Sequence, residues 1–374
     1  MPRARDTDAC PGALQVHLAA DGALARVRLP GGAITAAQLA TLSAVSTEFG
    51  SGALELTARG NVQLRGITDV TAVAEAVANA GLLPSPTHER ARNVVASPLS
   101  GRAGGRADVR AWVDELDAAI CAEPRLAELG GRFWFSLDDG SADVSGLGAD
   151  AGVHVLDDGL ALLLAGRDTG VRLAVGDAAE SLVAIAARFV EMRGKAWRVK
   201  ELADVGDVWP GAELGAAFPP VTKPPVGWIG QDDGRIALGA AAPLGVLPAR
   251  VAECLASIGA AVEAPLLVTP WRSVLVCDLD EAVADTALRV LAPLGLIFDE
   301  NSPWLAVSAC TGSPGCAHSA ADVRADAAMS LSARDTDAGG HRHFVGCERA
   351  CGSPPTGQVL VANGEGYRLL RDQP

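Results

Sequence analysis

Ala53-Leu-Glu-Leu-Thr-Ala-Arg-Gly-Asn-Val-Gln-Leu-Arg65 decides the reading of the fold, because Ala264-Pro-Leu-Leu-Val-Thr-Pro-Trp-Arg-Ser-Val-Leu-Val276 repeats its pattern far down the chain. Thr57 lies over Thr269, Val62 over Val274 and Leu64 over Val276. In each stretch two apolar runs flank a short turn, which predicts a hairpin. Outward from the hairpins the likeness continues. A strand-like run (from Leu24; from Arg235) and a helical pattern (Thr35 to Phe49; Pro248 to Gly259) precede each one. A second helical segment follows (Val70 to Ala80; Leu279 to Leu291). Strand, helix, hairpin and helix make a split βαβ, ferredoxin-like α+β unit, here present twice. Repetition at so long a spacing implies duplicated domains rather than a solenoid.

A different kind of segment is expected after each copy. The first is read as a helix over Val109 to Ala122, strands near Arg132 to Leu137, Val153 to Leu156 and Leu160 to Ala165, and a helix over Ala178 to Met192. The second holds most of the chain's closely spaced cysteines. The fold class expected is therefore α+β, with duplicated ferredoxin-like half-domains each followed by a mixed α/β segment. The expected divisions are 1–88, 89–204, a Pro-rich linker over 205–225, 226–300 and 301–374.

The 374 residues are 49% hydrophobic and 20% charged, enough for real cores in more than one domain. A formal charge of -14 repels phosphate backbones and anionic lipid surfaces, so no nucleic-acid or membrane partner is expected. Met1 to Gln15 offers no apolar leader, and the longest apolar stretch, Leu160 to Ala165, is too short to span a bilayer. A cytoplasmic protein is the expectation.

Of the 8 cysteines, Cys310, Cys316, Cys347 and Cys351 form a C-x5-C pair and a C-x3-C pair. The spacing matches neither zinc-ribbon patterns nor common ferredoxin motifs. The chemistry suits an iron–sulfur cluster: soft thiolates sit beside small loops, Thr311-Gly-Ser-Pro-Gly315 and Gly352-Ser-Pro-Pro355, in which backbone can close around a bulky inorganic core. A strand over Trp304 to Ser308 delivers Cys310, and a helix over Ala320 to Leu331 turns its positive end toward the cysteines. Zinc and four buried free thiols stay open as alternatives. Cys10, Cys121, Cys254 and Cys277 are scattered singles and read as plain core or surface residues. Gly146-Leu-Gly-Ala-Asp-Ala-Gly152 imitates a dinucleotide loop but opens a strand, so it reads as an ordinary loop.

Four motifs in order, Arg28-Leu-Pro-Gly-Gly-Ala-Ile-Thr35, Leu56-Thr-Ala-Arg-Gly-Asn-Val-Gln-Leu-Arg-Gly66, Arg92-Asn-Val-Val-Ala-Ser-Pro-Leu-Ser-Gly101 and the paired cysteines, resemble the nitrite and sulfite reductase superfamily. Within it they most resemble the precorrin-3B synthases of cobalamin biosynthesis. The resemblance implies a [4Fe-4S] cluster on Cys310, Cys316, Cys347 and Cys351. It also implies a tetrapyrrole site between the halves, with Arg28, Arg59, Arg65, Arg92 and Arg132 on substrate carboxylates. Asn61 and Gln63 would supply uncharged hydrogen bonds. Always-charged bidentate donors fit a macrocycle rimmed with carboxylates.

The synthase resemblance further implies precorrin-3A and O2 as substrates, an external electron donor, and a mononuclear iron beside the cluster. No catalytic residue is assigned. His318, His341 and His343 lie near the cysteines and are read as solvated. Overlaying the copies puts Ala240 at Arg28, Pro243 and Leu244 at Gly31 and Gly32, and Trp271 at Arg59, so a single tetrapyrrole site per chain is expected. On Gly131-Arg-Phe-Trp-Phe135, where sulfite reductases carry Lys-x-Lys, Arg132 and Trp134 replace the lysines. This weakens a pocket for a small oxyanion and favours the synthase over a sirohaem-dependent sulfite or nitrite reductase. A non-enzymatic electron carrier or structural metal protein is the remaining alternative.

Overall fold

The computed structural model describes residues 8, 10–332 and 340–373; residues 1–7 and 9 of the Met1 to Gln15 stretch, on which the expectation of no leader rests, lie outside them. The first ferredoxin-like unit contains β1 (His17–Ala19), β2 (Gly22–Val27), β3 (Ala33–Ile34), α1 (Ala36–Phe49), β4 (Ala53–Leu56), β5 (Val62–Ile67) and α2 (Val70–Asn79). The segment after it contains β6 (Val94–Ala96), α3 (Arg110–Ala122), β7 (Phe135–Asp138), β8 (Ala151–Leu156), β9 (Gly159–Leu164), β10 (Arg167–Leu173) and α4 (Ala178–Met192). The second unit repeats the first with β11 (Gly227–Gly230), β12 (Ile236–Ala241), β13 (Val246–Pro248), α5 (Ala249–Ala261), β14 (Leu266–Val268), β15 (Ser273–Leu279) and α6 (Glu281–Leu291). The last segment holds β16 (Val307–Ala309), α7 (Val323–Ser332), β17 (Arg342–Val345), β18 (Gly357–Ala362) and β19 (Tyr367–Gln373).

Local chemistry fixes where these elements start. Thr35 and Gln38 form a reciprocal capping box at α1, with Gln38 N–H donating to Thr35 Oγ1 at 3.1 Å and Thr35 N–H to Gln38 Oε1 at 3.0 Å. Near the cysteines the sequence expectation shifts. Pro303 opens a 3₁₀ turn, Pro303–Ala306, so the strand begins only at Val307. Asp322 caps the following helix through Ala325 N–H at 3.1 Å, so α7 starts at Val323 rather than Ala320.

The two units trade strands. One sheet runs β1-β2-β5-β4-β13 and the other β11-β12-β15-β14-β3, so each takes a short edge strand from the opposite copy. Leu247 pairs with Leu54, and Ile34 with Leu266. One apolar core results, in which Val27, Leu54 and Leu64 share contacts with Leu238, Leu247 and Val276. The units at 1–88 and 226–300 therefore do not bury their hydrophobic faces separately. Gly32, at φ 76°, shows how close the halves approach: a Cβ there would stand 2.0 Å from the carbonyl oxygen of Val268.

The two following segments prove to be copies as well. In the first, β6, β7 and β8 are parallel and β9 turns back antiparallel; in the second, β16, β17 and β18 are parallel and β19 turns back. Each has a helix between its first two strands. Duplication thus spans the whole half, which composition hides because one copy carries the cysteines. Ala96 pairs with Leu137 as Ala309 pairs with Phe344. Ser97 accordingly occupies the place of Cys310.

Strand register also corrects the overlay of the halves. Val27 faces Val62 and Ala240 faces Val274, which sets Arg28 over Ala241 and Gly31 over Leu244. Gly31 and Leu244 share the same left-handed turn, with φ 63° and 56°. The sequence overlay slips because the second copy is a residue shorter between helix and hairpin. Ala241, like Ala240, is no cation. Among the described residues, no helix is long and apolar enough to cross a membrane.

Candidate functional site

Arg28 leaves β2 into an almost closed interior, 2% exposed. Its Nη2 lies 3.3 Å from the carbonyl oxygen of Gly131, while among the described residues its Nε and Nη1 meet no hydrogen-bond partner. Arg59, on the turn between β4 and β5, reaches the same carbonyl through Nη1 at 3.2 Å and lies over the ring of Trp134, 5.5 Å from its centroid. Burial, then the charges of Arg198 and Arg28, push the Arg59 guanidinium down to about 9, so it is still a cation at neutral pH. Burial likewise lowers Arg28 from its ordinary value. Buried cations gathered with so few anions are costly unless an anion arrives to pair with them.

The other expected residues are placed differently. Arg132 projects outward, its side chain 53% exposed, over Trp197 and 3.6 Å from Asp8. Gln63 accepts from Arg26 Nη2 at 2.7 Å and donates to Glu55 at 2.7 Å. Asn61 is wholly occupied: Oδ1 takes the N–H of Leu29 at 2.9 Å and Nδ2 donates to Asn93 at 2.9 Å. Arg92 forks Asp117 on α3 at 2.8 and 2.7 Å, a buried ion pair that ties the segment together rather than facing Arg28. Arg65 points to the cysteine loop, donating to the carbonyl of Gly315 at 2.8 Å.

The cysteines come together at the end of the parallel strands. β16 delivers Cys310, whose Sγ accepts from the N–H of Gly346 at 3.4 Å just after β17. Burial pushes the Cys310 and Cys351 thiols up, and all four sulfurs are close enough to repel one another as thiolates. Yet among the described residues no three of them lie within 4.8 Å of one another. Thiolates on one tetrahedral zinc would stand roughly 3.8 Å apart, given Zn–S bonds of about 2.3 Å. The wider spacing fits a polynuclear core. The first turn of α7 packs on this loop, since a Cβ at Gly312 would meet the Val323 nitrogen at 3.0 Å.

Two of the nearby histidines are not solvated. His341 and His343 both meet Ser308 Oγ at 2.7 Å, and His343 Nε2 lies 3.0 Å from the Cys351 carbonyl. Burial, reinforced by the charge of Arg272, lowers them to about 4 and about 3. His318 is exposed, as expected. In the first half, the loops equivalent to the cysteine loops carry Ser97, Asp138, Asp139 and Asp143, with carboxylate oxygens of the three acids within 4.8 Å of one another.

The profile of the nitrite/sulfite reductase ferredoxin-like half domain matches residues 17–80. A precorrin-3B synthase of Sinorhizobium sp. is 26% identical, over 97% of this chain and 82% of its own length. The structure of the Mycobacterium tuberculosis NirA protein superposes with a TM-score of 0.76 at 21% identity, covering 93% of this chain and 74% of that one. The chain has a nitrite/sulfite reductase-like fold that includes a ferredoxin-like half domain. A ferredoxin sulfite reductase of Mycobacterium tuberculosis is 25% identical over 80% of the chain, which spans 60% of that superfamily member's length.

Three residues beside Arg28 and Arg59 were not singled out from the sequence as part of this site. Arg26 shares a strand face with Arg28, a two-residue spacing legible in Arg26-Val-Arg28; its Nε is buried without a partner. Arg198 pairs with Asp150 at 2.6 Å and lies 5.9 Å from the Trp134 centroid, brought there by the fold with no local signal. Cys10, a lone cysteine in sequence, lies between Arg26 and Arg28.

Proposed function

We propose that the chain is an iron–sulfur oxidoreductase acting on a carboxylated tetrapyrrole. The finer reading is conversion of precorrin-3A to precorrin-3B by O2-dependent hydroxylation at a ring-junction carbon, with lactone closure from a neighbouring acetate. The observation that carries it is the pair Arg28 and Arg59, a buried and a half-buried guanidinium turned to one carbonyl, with two nitrogens of Arg28 unpartnered among the described residues. Such donors match substrate carboxylates, and Arg26 and Arg198 extend the same cationic floor. Trp134, itself buried, lies under Arg59 and steadies its guanidinium through the ring face.

Cys310, Cys316, Cys347 and Cys351 would hold a [4Fe-4S] cluster, which supplies single electrons when bound. Their soft donor set and wide spacing suit it. The residues around them hold the loops in place: Arg65 fastens the first loop at Gly315 and Arg272 the second at Gly352, 3.0 Å away. Electrons come from an external donor in this reading. His341 and His343 serve Ser308 and the Cys351 carbonyl, and we assign them to no mononuclear iron.

A sirohaem-dependent sulfite or nitrite reductase is the second reading, favoured by the sulfite reductase relatives. Trp134 at the place of a second lysine counts against it, because repeated protonation of an oxyanion needs proton-bearing cations there. Incubation of the holoprotein with precorrin-3A, a reductant and ¹⁸O-labelled O2 separates the two. A product carrying labelled oxygen supports the synthase; sulfide released from sulfite, with no labelled product, supports the reductase.

A further inference from the structure

Residues 10–15 form a strap that runs into the arginine floor. Glu89 fastens it: Oε2 accepts from the N–H groups of Ala13 and Leu14 at 2.6 and 2.9 Å, and Oε1 from Gln15 at 3.0 Å. Gly12 makes the approach feasible, since a Cβ there would sit 2.2 Å from the Glu89 carboxyl carbon. Running back from this anchor, the chain delivers Cys10. Its Sγ stands 3.2 Å from Arg26 Nη1 and 3.5 Å from Arg28 Nη2. It is also 3.5 Å from the Gly131 carbonyl oxygen, whose acceptor sites Arg28 and Arg59 already use.

Among the described residues the charges that act most on this sulfur are few, with Arg90 and Arg132 touching Asp8 behind them. Arg26 and Arg28 face it from β2, Arg59 lies within electrostatic reach on the hairpin turn, and Asp8 opposes them from just ahead of the strap. Burial raises the thiol, and the Arg28 and Arg26 charges outweigh burial and Asp8 together, leaving it below its ordinary value. Burial instead raises Cys121, Cys254 and, up to about 12, Cys277. Arg28, with two nitrogens unpartnered at 2% exposure, supplies a second and independent sign that an anion belongs here.

We propose that Cys10 is a thiolate built into the tetrapyrrole site: the resident counter-ion of Arg26 and Arg28, displaced from them by a substrate carboxylate, and the chain's preferred target for soft electrophiles. The exchange with substrate rests on the reading of the arginines given above; the thiolate rests on the geometry alone. A carboxylate fits the guanidinium fork better than a single sulfur does, so binding transfers the cations to the substrate. The sulfur, robbed of its compensating charge, takes up a proton from water, and the resulting thiol is a poor nucleophile that the substrate also covers. Alkylation by iodoacetamide reports on this directly. A sulfur lone pair forms the C–S bond as the C–I bond breaks, and iodide leaves with the bonding electrons.

The test uses holoprotein, iodoacetamide and peptide mapping across pH, with uroporphyrin, an octacarboxylate tetrapyrrole, as the competing probe and Cys10→Ser as the background. Cys10 is expected to label with a midpoint below the free-thiol value of about 8.5. At pH 6.5 it should react on the order of tenfold faster than Cys121 or Cys254, and saturating uroporphyrin should suppress the reaction. A midpoint at or above the free-thiol value overturns the thiolate. Fast labelling that uroporphyrin leaves untouched overturns the exchange with substrate. Whether the arginines bind the tetrapyrrole is then decided separately, by uroporphyrin binding to Arg59→Ala.

Discussion

Arg65 on β5 and Gly315 in the C-x5-C loop meet across the duplicated chain, with Nη2 2.8 Å from the carbonyl oxygen. The same guanidinium forks Asp21 at 3.0 and 2.9 Å. In the other half Arg272 Nη2 lies 3.0 Å from the carbonyl of Gly352, inside the C-x3-C loop. Each ferredoxin-like unit thus sends one cation onto one cysteine loop. Both arginines bind the cysteine segment to the core, and in the proposed reading they would also set positive charge beside four cluster thiolates, Arg65 sharing its charge with Asp21.

Arg65→Leu should loosen the cluster more than the fold. It leaves the Gly315 carbonyl and Asp21 without their donor, a loss of about 1–3 kcal/mol. Cluster absorbance should then decay faster under a chelator while far-UV circular dichroism is unchanged. Arg65→Lys should recover only part, because an ammonium cannot fork Asp21 and still reach Gly315.

Arg59→Ala should weaken binding of a carboxylated tetrapyrrole by about 10- to 100-fold, the worth of one charge-assisted hydrogen bond. Cluster absorbance should not change. Fluorescence quenching of uroporphyrin titrated with the variant reads the affinity, and an affinity equal to wild type would remove Arg59 from the site.

Arg92→Leu should act on stability instead. It strands Asp117 beside α3, a loss of about 3–5 kcal/mol for breaking a buried pair, visible as a lower unfolding midpoint in urea. The double variant with Asp117→Leu should regain much of that loss. Tetrapyrrole affinity of the folded variant should match wild type, which distinguishes Arg92 from Arg59.

Asp143 gives stability a pH dependence. Burial raises it from 3.8 to about 7, the Ser97 hydroxyl at 2.6 Å pulls the other way, and Asp138 and Asp139 raise it further. From about pH 4 to about pH 7 the folded chain keeps a proton that the unfolded chain has released, so this group's contribution falls as pH rises through that window. Asp143→Asn removes the effect. Its Tm relative to wild type should climb between pH 5 and pH 7 and then level off; a difference flat with pH contradicts the assignment.

The hairpins carried most of what sequence could say about the fold. Their apolar alternation is strong, and the strands and helices around them follow with small shifts. The exchanged strands β3 and β13 were not legible, being two or three residues long and too short to show a period. The first α/β segment hid its kinship with the last because Ser97 stands where the other has Cys310. In the site, Arg28 and Arg59 were readable from their motifs. The role of Arg92 was not, since its partner Asp117 lies on a helix 25 residues away, and only the fold brings the two together. Cys10 looked incidental because nothing in its neighbourhood repeats or pairs in sequence.

Iron and acid-labile sulfide content, measured with the absorption spectrum of anaerobically purified protein, test the central claim most directly. The account predicts about four sulfides and at least about four irons per chain, a broad cluster shoulder without a Soret band, and loss of the sulfide in Cys310→Ser. Zinc in place of iron, with no sulfide, would contradict it.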